Sequence, residues 1–226
     1  DDQRLTPRRF VEKYKSVLRG SDVVVAVSAY FLMFCGFGLF TSFLPSWLET
    51  TIGVSSYEIA LLFAIGGSGN ILASPAGGRL SDEVGRKPIV VWGSMALGLL
   101  MAVAPFYISG FTMAAVLFFL AMLTVGIRVS PLQSLLTALV PDRERGLLMG
   151  LAMSVGQGGF GFGSFLASIT YGPYGYVSNS VVGAAAMVLM AVLVHVGITE
   201  PRLHSSDESP PPAAPSPESP SVAEAP

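Results

Sequence analysis

The sequence predicts an all-α membrane protein of six transmembrane helices, and three observations carry that prediction. Of 226 residues, 51% are hydrophobic and 12% charged, against roughly 25% charged in an ordinary soluble domain. The charge avoids long stretches: none falls between Asp22 and Glu49, from Pro88 to Ile127, or from Gly146 to Thr199 with His195 counted neutral. A spanning helix needs about 20 such residues, and a soluble fold would have almost no charged face to offer water over them. The cations, finally, gather in alternate links between the apolar runs.

Apolar length and turn residues place each helix in order. The first runs from about Val23 to Trp47. A link from Glu49 to Val54 leads to Ser55, which with Glu58 has capping-box spacing, so the second runs from about Ser56 to Gly78. Pro88 suits the first turn of a third helix that continues to about Ile108. Ser109-Gly110 breaks the run, and a fourth follows from Phe111 to about Val140. After Pro141 to Glu144, the fifth covers about Arg145 to Thr170. The segment Tyr171-Gly172-Pro173-Tyr174-Gly175 turns the chain, and the sixth ends near Ile198. The domain plan is a basic segment over 1–21, a six-helix bundle over 22–200 and a tail over 201–226. That tail holds mostly Ser, Pro, Ala and acidic residues, and is expected to be disordered because it cannot bury enough apolar surface to fold.

Charge then orients the helices. Six of the 13 cations precede the first helix (Arg4, Arg8, Arg9, Lys13, Lys15, Arg19), three lie in the second link, two in the fourth, and Arg202 follows the last helix. With six helices all four segments share one face, which the positive-inside rule makes cytoplasmic, with both termini. The apolar run after the basic segment exceeds a signal-peptide core, so it reads as a retained helix in an integral protein of the cell membrane. A formal net charge of −2 leaves no basic footprint for nucleic acid. Cys35 alone excludes an internal disulfide and a cysteine-rich metal site, and is expected to pack. No cofactor or metal is implied.

The second link reads Gly78-Arg79-Leu80-Ser81-Asp82-Glu83-Val84-Gly85-Arg86-Lys87-Pro88. Gly85 allows a tight reversal between two helices, and Asp82 and Arg86 are close enough to pair across it. In residue order this stretch resembles the signature loop of the major facilitator superfamily, matching it at Gly78, Leu80, Asp82, Gly85, Arg86 and Lys87. The resemblance extends over about residues 20 to 200. It implies a half of that fold, a bundle of six helices that works beside a second six-helix half, with solute at the midplane between them. It also implies that Asp82 and Arg86 act in a gating element on the cytoplasmic side. The chain opens on Asp1 rather than Met, as a fragment or processed product would. The C-terminal half is favoured: the N-terminal segment resembles the connector between halves, and the fifth helix lacks the Gly-Pro pair of many exporters' N-terminal halves. An independent six-helix protein that dimerises is the alternative.

Four side chains inside the runs are candidates for a solute cavity. Arg128 lies roughly 25 Å along its helix from Phe111 at 1.5 Å per residue, near or just below the midplane. A cation there is costly and faces a cavity or a partner, binding an anionic solute group or locking helices. Gln133 lies on a face with Ser130, Ser134 and Thr137 from which Arg128 points away. Gln157 belongs to a fifth-helix stripe with Ser154, Gly161, Ser164 and Ser168, which reads chiefly as helix packing with Gln157 its exception. Asn70 lies inside the second helix, while Tyr30 and Phe34 read as packing. Asp22, Glu49 and Glu58 sit at span ends, so no acid is placed for a midplane proton relay.

The function expected is secondary transport of a small solute by alternating access, with glycine-rich helices resembling those of drug and sugar exporters. The alternatives are a non-transporting scaffold and an intramembrane protease. Gly66-Gly67-Ser68-Gly69 with His195 resembles the Ser-His dyad of rhomboids, yet Ser68 stands on the second helix at mid-span and His195 near the cytoplasmic end of the sixth. A serine nucleophile needs an adjacent base, which that separation denies it.

Overall fold

A computed structural model describes residues 20–198. Residues 1–19, most of the expected basic segment, and the 201–226 tail lie outside the described residues. The described chain is helical and contains no strand. Its elements are α1 (Ser21–Ser42), α2 (Leu44–Trp47), a π-helical turn (Leu48–Ile52), α3 (Ser56–Val84), α4 (Arg86–Tyr107), α5 (Phe111–Ala138) and α6 (Asp142–Gly197). Five stretches are long and apolar enough to cross a membrane, the first being Ser21–Ile52. The expected count of six differs because α6 is one run of 56 residues, interrupted at Gly175.

Local chemistry explains most boundaries. The first helix, expected unbroken to Trp47, is interrupted at Phe43, whose ψ is 3°. Pro45 stands two residues on. It has no N–H to donate, and its ring crowds the carbonyl four residues back, at Thr41. Ser55 opens α3 through the expected capping box: the Glu58 N–H donates to Ser55 Oγ at 3.4 Å, and the Ser55 N–H to Glu58 Oε2 at 2.9 Å. The helix does not end at Gly78, however. It continues through Val84 because Gly77 is packed closely against α5, where the neighbour's backbone holds a residue that would otherwise fray. Only Gly85, at φ 101°, ψ 151°, leaves helical geometry before α4 starts. The motif is therefore mostly helix, with one glycine hinge at positive φ, where a side chain would be strained.

The turn between the expected fifth and sixth helices is also narrower than five residues. Tyr171 to Tyr174 stay helical, and Gly175 alone departs, at φ 70°, ψ −173°. That conformation is essentially glycine's own. Gly175→Ala is expected to cost about 1–3 kcal/mol by that strain, read as a lower melting temperature of the purified protein. An unchanged melting temperature would show that the reversal does not depend on this backbone state.

The two arms of α6, before and after Gly175, grip α1 from two sides and run in opposite directions along it. In the first arm Gly156, Gly159 and Gly163 meet Phe34, Phe31 and Cys35, and Tyr171 stacks on Phe43. In the second arm Tyr176 stacks on Trp47, Gly183 meets Gly36, and Gly197 meets Val25. Contacts climb α1 in one arm and descend it in the other. Helix α3 packs on α5 through Gly66, Gly69 and Gly77, against Phe118, Phe119 and Ile127. Helix α4 closes the bundle, meeting α5 where Gly93 faces Arg128 and the second arm where Gly98 faces Ala184. Without side chains at these positions the backbones approach closely, the packing mode that membrane helices favour.

Two apolar clusters fill the bundle. One holds Phe40, Leu62, Met101, Phe118 and Met187, the other Tyr30, Val90, Leu132, Leu136 and Val194. Ser94 and Arg128 lie between them along α4 and α5.

Candidate functional site

Arg128 occupies the boundary between the clusters because α5 presents it toward α4, where Gly93 leaves room beside its Cβ. Its side chain is 1% exposed. Nη1 donates to Ser94 Oγ at 2.9 Å and reaches Met190 Sδ at 3.5 Å, on the second arm of α6. Both partners are neutral. Nε is buried with no hydrogen-bond partner. Ser94 in turn donates to the Val90 carbonyl at 2.7 Å, so its hydroxyl is satisfied along its own helix. A guanidinium is always charged, and this one carries its charge in the interior with no carboxylate at hand.

Arg128 also borders a cleft of about 230 Å³ between α1, α3 and α5, walled by Met33, Phe34, Phe37, Asn70 and Val125. Asn70 and Arg128 thus share one cavity. Phe34 joins them, where sequence reasoning had it in packing alone. It does both: its ring also lies against Gly156. Nothing in the sequence pairs α1 with the α3–α5 contact, so that aromatic wall was not legible.

Gln133 is not in this cleft. It is half-buried on another face of α5 and interacts with the Tyr30 hydroxyl. Gln157 is exposed on the first arm of α6, not among the residues lining this cleft, together with Ser154, Gly161 and Ser168. The packing expected of that stripe is corrected. The stripe that packs is Gly156, Gly159, Gly163 and Ala167, about one residue's rotation away. Of the expected stripe, Ser164 is half-buried, and the Ser42 hydroxyl donates to its oxygen at 2.7 Å.

The motif residues form a second site at the opposite end of α3 from its capping box. Arg86 Nη1 donates to the Ser134 carbonyl at 3.4 Å, and Lys87 Nζ to the Ile198 carbonyl at 2.6 Å. Arg145, paired with Asp142 at 2.9 Å, donates from Nε to the Thr137 carbonyl at 3.2 Å. Cations therefore sit where α5 and α6 finish, which is where the helix dipoles concentrate negative charge. Asp82 and Leu80 are exposed on the last turns of α3, and Gly78 is half-buried there.

Ser68 and His195 do not form a dyad. The Ser68 hydroxyl donates to its own helix at Ile65, and His195 lines a different groove with Trp92 and Val188. Among the described residues there is no cluster of three or more His, Cys, Asp or Glu able to hold a metal.

The family model described as Major Facilitator Superfamily matches residues 26–223. The uncharacterized MFS-type transporter YceJ of Bacillus subtilis (strain 168) is 27% identical over 161 residues, covering 71% of this chain and 41% of the relative. Quinolone resistance protein NorA of Staphylococcus aureus is 25% identical over 172 residues, covering 73% of this chain and 43% of the relative. The matched stretch spans about two-fifths of the length of either relative.

Proposed function

Since the chain belongs to the major facilitator superfamily, we propose that it is one six-helix half of a secondary transporter that moves a small solute by alternating access. The 56 residues of α6 would extend about 84 Å as one straight helix, at 1.5 Å per residue. A hydrocarbon core is about 30 Å thick, and the two arms run in opposite directions from Gly175. Two crossings follow, and six in all. The basic links α3–α4 and α5–α6 then share a side with both termini, and that side is cytoplasmic.

The observation that carries the transport reading is the kind of surface each face exposes. On α4 and the second arm of α6 the exposed residues include Trp92, Leu99, Phe106, Val188, Leu189 and Val192, which suit lipid. On the first arm Ser154, Gln157, Gly158, Gly161 and Ser168 are exposed at helical spacing, and on α3 Gly67 and Ser68. The serine hydroxyls bond carbonyls of their own helices, but an amide turned to hydrocarbon is costly, so the part of this face that Gln157 occupies needs protein or water against it. A second half, from the same polypeptide or a partner copy, supplies that cover, and the C-terminal position is the one we favour for this half. The solute then passes between the halves, along the face to which Gln157 belongs and the cleft of Asn70 and Arg128. One relative is named for quinolone resistance, and on that likeness we include outward movement of drug-sized organic solutes.

The Gly85 hinge, with Arg86 and Lys87 on the ends of α5 and α6, is the cytoplasmic gate, and exposed Asp82 is its contact to the other half. In everted vesicles carrying the full-length protein, uptake of fluorescent organic solutes should be protein-dependent and saturable. Asp82→Asn should slow it at least about tenfold, equivalent to ~1.4 kcal/mol, at unchanged protein level. An unchanged rate would overturn the gate; absence of saturable uptake by the wild type across neutral, cationic and anionic solutes would overturn transport.

A further inference from the structure

We propose that the cleft between α1, α3 and α5 takes a lipophilic organic anion: a compact apolar ring body bearing a carboxylate or sulfonate, its charge directed at Arg128. The cleft's walls and the charge beside them ask for different halves of such a molecule. Met33, Phe34, Phe37 and Val125 offer apolar and aromatic surface, and Asn70 adds one amide able to donate or accept. Beside these walls lies Arg128, 1% exposed, whose Nη1 turns to Ser94 on α4 and Met190 on α6 and whose buried Nε has no partner, so the cleft borders a positive charge with only neutral partners.

A charge held in low dielectric without a counterion is unfavourable, and a hydrogen bond to a charged group is about twice as strong as a neutral one. The chain does not provide the counterion from its own spans. Every described acidic residue (Asp22, Glu49, Glu58, Asp82, Glu83, Asp142, Glu144) stands at a helix end or in a link. For a cationic solute the cleft has aromatic faces but no carboxylate, and Arg128 repels it. For an anion the same residue is a neighbouring positive charge with no counterion among the described spans. A volume of about 230 Å³ lies below the usual 300–1,000 Å³ of ligand pockets, which restricts the part of the solute held by this half to one or two rings.

The inference deepens the transport reading and rests on it for the site's use, but its chemistry can be tested by binding alone. The probes are 1-anilinonaphthalene-8-sulfonate and its uncharged counterpart N-phenyl-1-naphthylamine, which share a ring body and differ by the sulfonate. Fluorescence titration uses the full-length protein in phosphatidylcholine nanodiscs, corrected for empty discs. The anion should bind at least about tenfold more tightly than the neutral compound. Arg128→Met should remove that preference while leaving the neutral compound bound, which shows that the walls are still formed. Arg128→Lys should give an intermediate preference, since a point charge replaces a fork of donors. Equal affinities in the wild type, or a preference that survives Arg128→Met, would overturn the proposal. Saturable flux of other solutes alongside equal affinities would overturn this inference only. An Arg128-dependent preference with no flux of any solute would overturn the transport reading and leave the anion site standing.

Discussion

Gly77→Leu is expected to prevent recovery of folded protein, with an effect larger than that of any surface substitution. A Cβ at this position would sit on the carbonyl oxygen of Ile127 in α5, and backbone cannot step aside as a flexible side-chain end can. Overpacking a well-fitted site costs about 1–3 kcal/mol and sometimes more. Here the obstructed contact is one of the three glycines through which α3 meets α5. Gly150→Ala should act in the opposite sense. Nothing lies within 4 Å of a Cβ there, and alanine is favoured over glycine in a helix by up to about 1 kcal/mol. Detergent-solubilised yield and thermal midpoint by size-exclusion chromatography read both variants. Equal behaviour of the two would mean that the close α3–α5 approach does not hold the bundle together.

Arg128→Met is expected to abolish movement of anionic solutes while leaving the thermal midpoint unchanged or raised. Replacing a buried charge by an apolar group of similar volume is often neutral or stabilising. The local geometry favours that outcome, because Ser94 keeps its bond to the Val90 carbonyl and the new thioether lies beside Met190. Removing the guanidinium also removes the unpartnered Nε. If Arg128 instead served to tie α5 to α4 and α6, the variant would lose several kcal/mol, as broken buried networks do, and the midpoint would fall with the activity. Measuring both separates a solute-binding arginine from a structural one.

Much of the fold could be read from the sequence because hydrocarbon imposes a simple rule: long uncharged runs must be helices. The capping box at Ser55 and the isolation of Arg128 from the Gln133 face were legible for local reasons, side-chain spacing and helical period. The discrepancies arose where a neighbouring helix decides. Gly77 and Gly78 read as a helix end, yet α5 holds them in a helix that runs to Val84. Ser154, Gly161 and Ser168 read as a packing stripe with Gln157 its exception, yet α1 takes the adjacent glycines and leaves all four exposed. A helical wheel identifies stripes but not which one the partner occupies. Arg128 and Asn70 come from helices whose register depends on that same glycine packing, so their shared cleft had no signature in either segment alone. The ends of α5 and α6, reached by Arg86 and Lys87, are likewise set by tertiary placement rather than by the motif's spelling.

The measurement that tests the account most directly is thiol accessibility from the two sides of the membrane. In a Cys35→Ser background, Gln157→Cys places one thiol on the exposed polar face of α6, and Leu189→Cys places one on the apolar face of its second arm. Alternating access predicts that a membrane-impermeant maleimide labels position 157 of the full-length protein from both sides, in whole cells and in everted vesicles, and position 189 from neither. Labelling of position 157 from neither side, as at 189, would mean that this face lies against lipid or permanently packed protein, and would contradict a solute path between two halves.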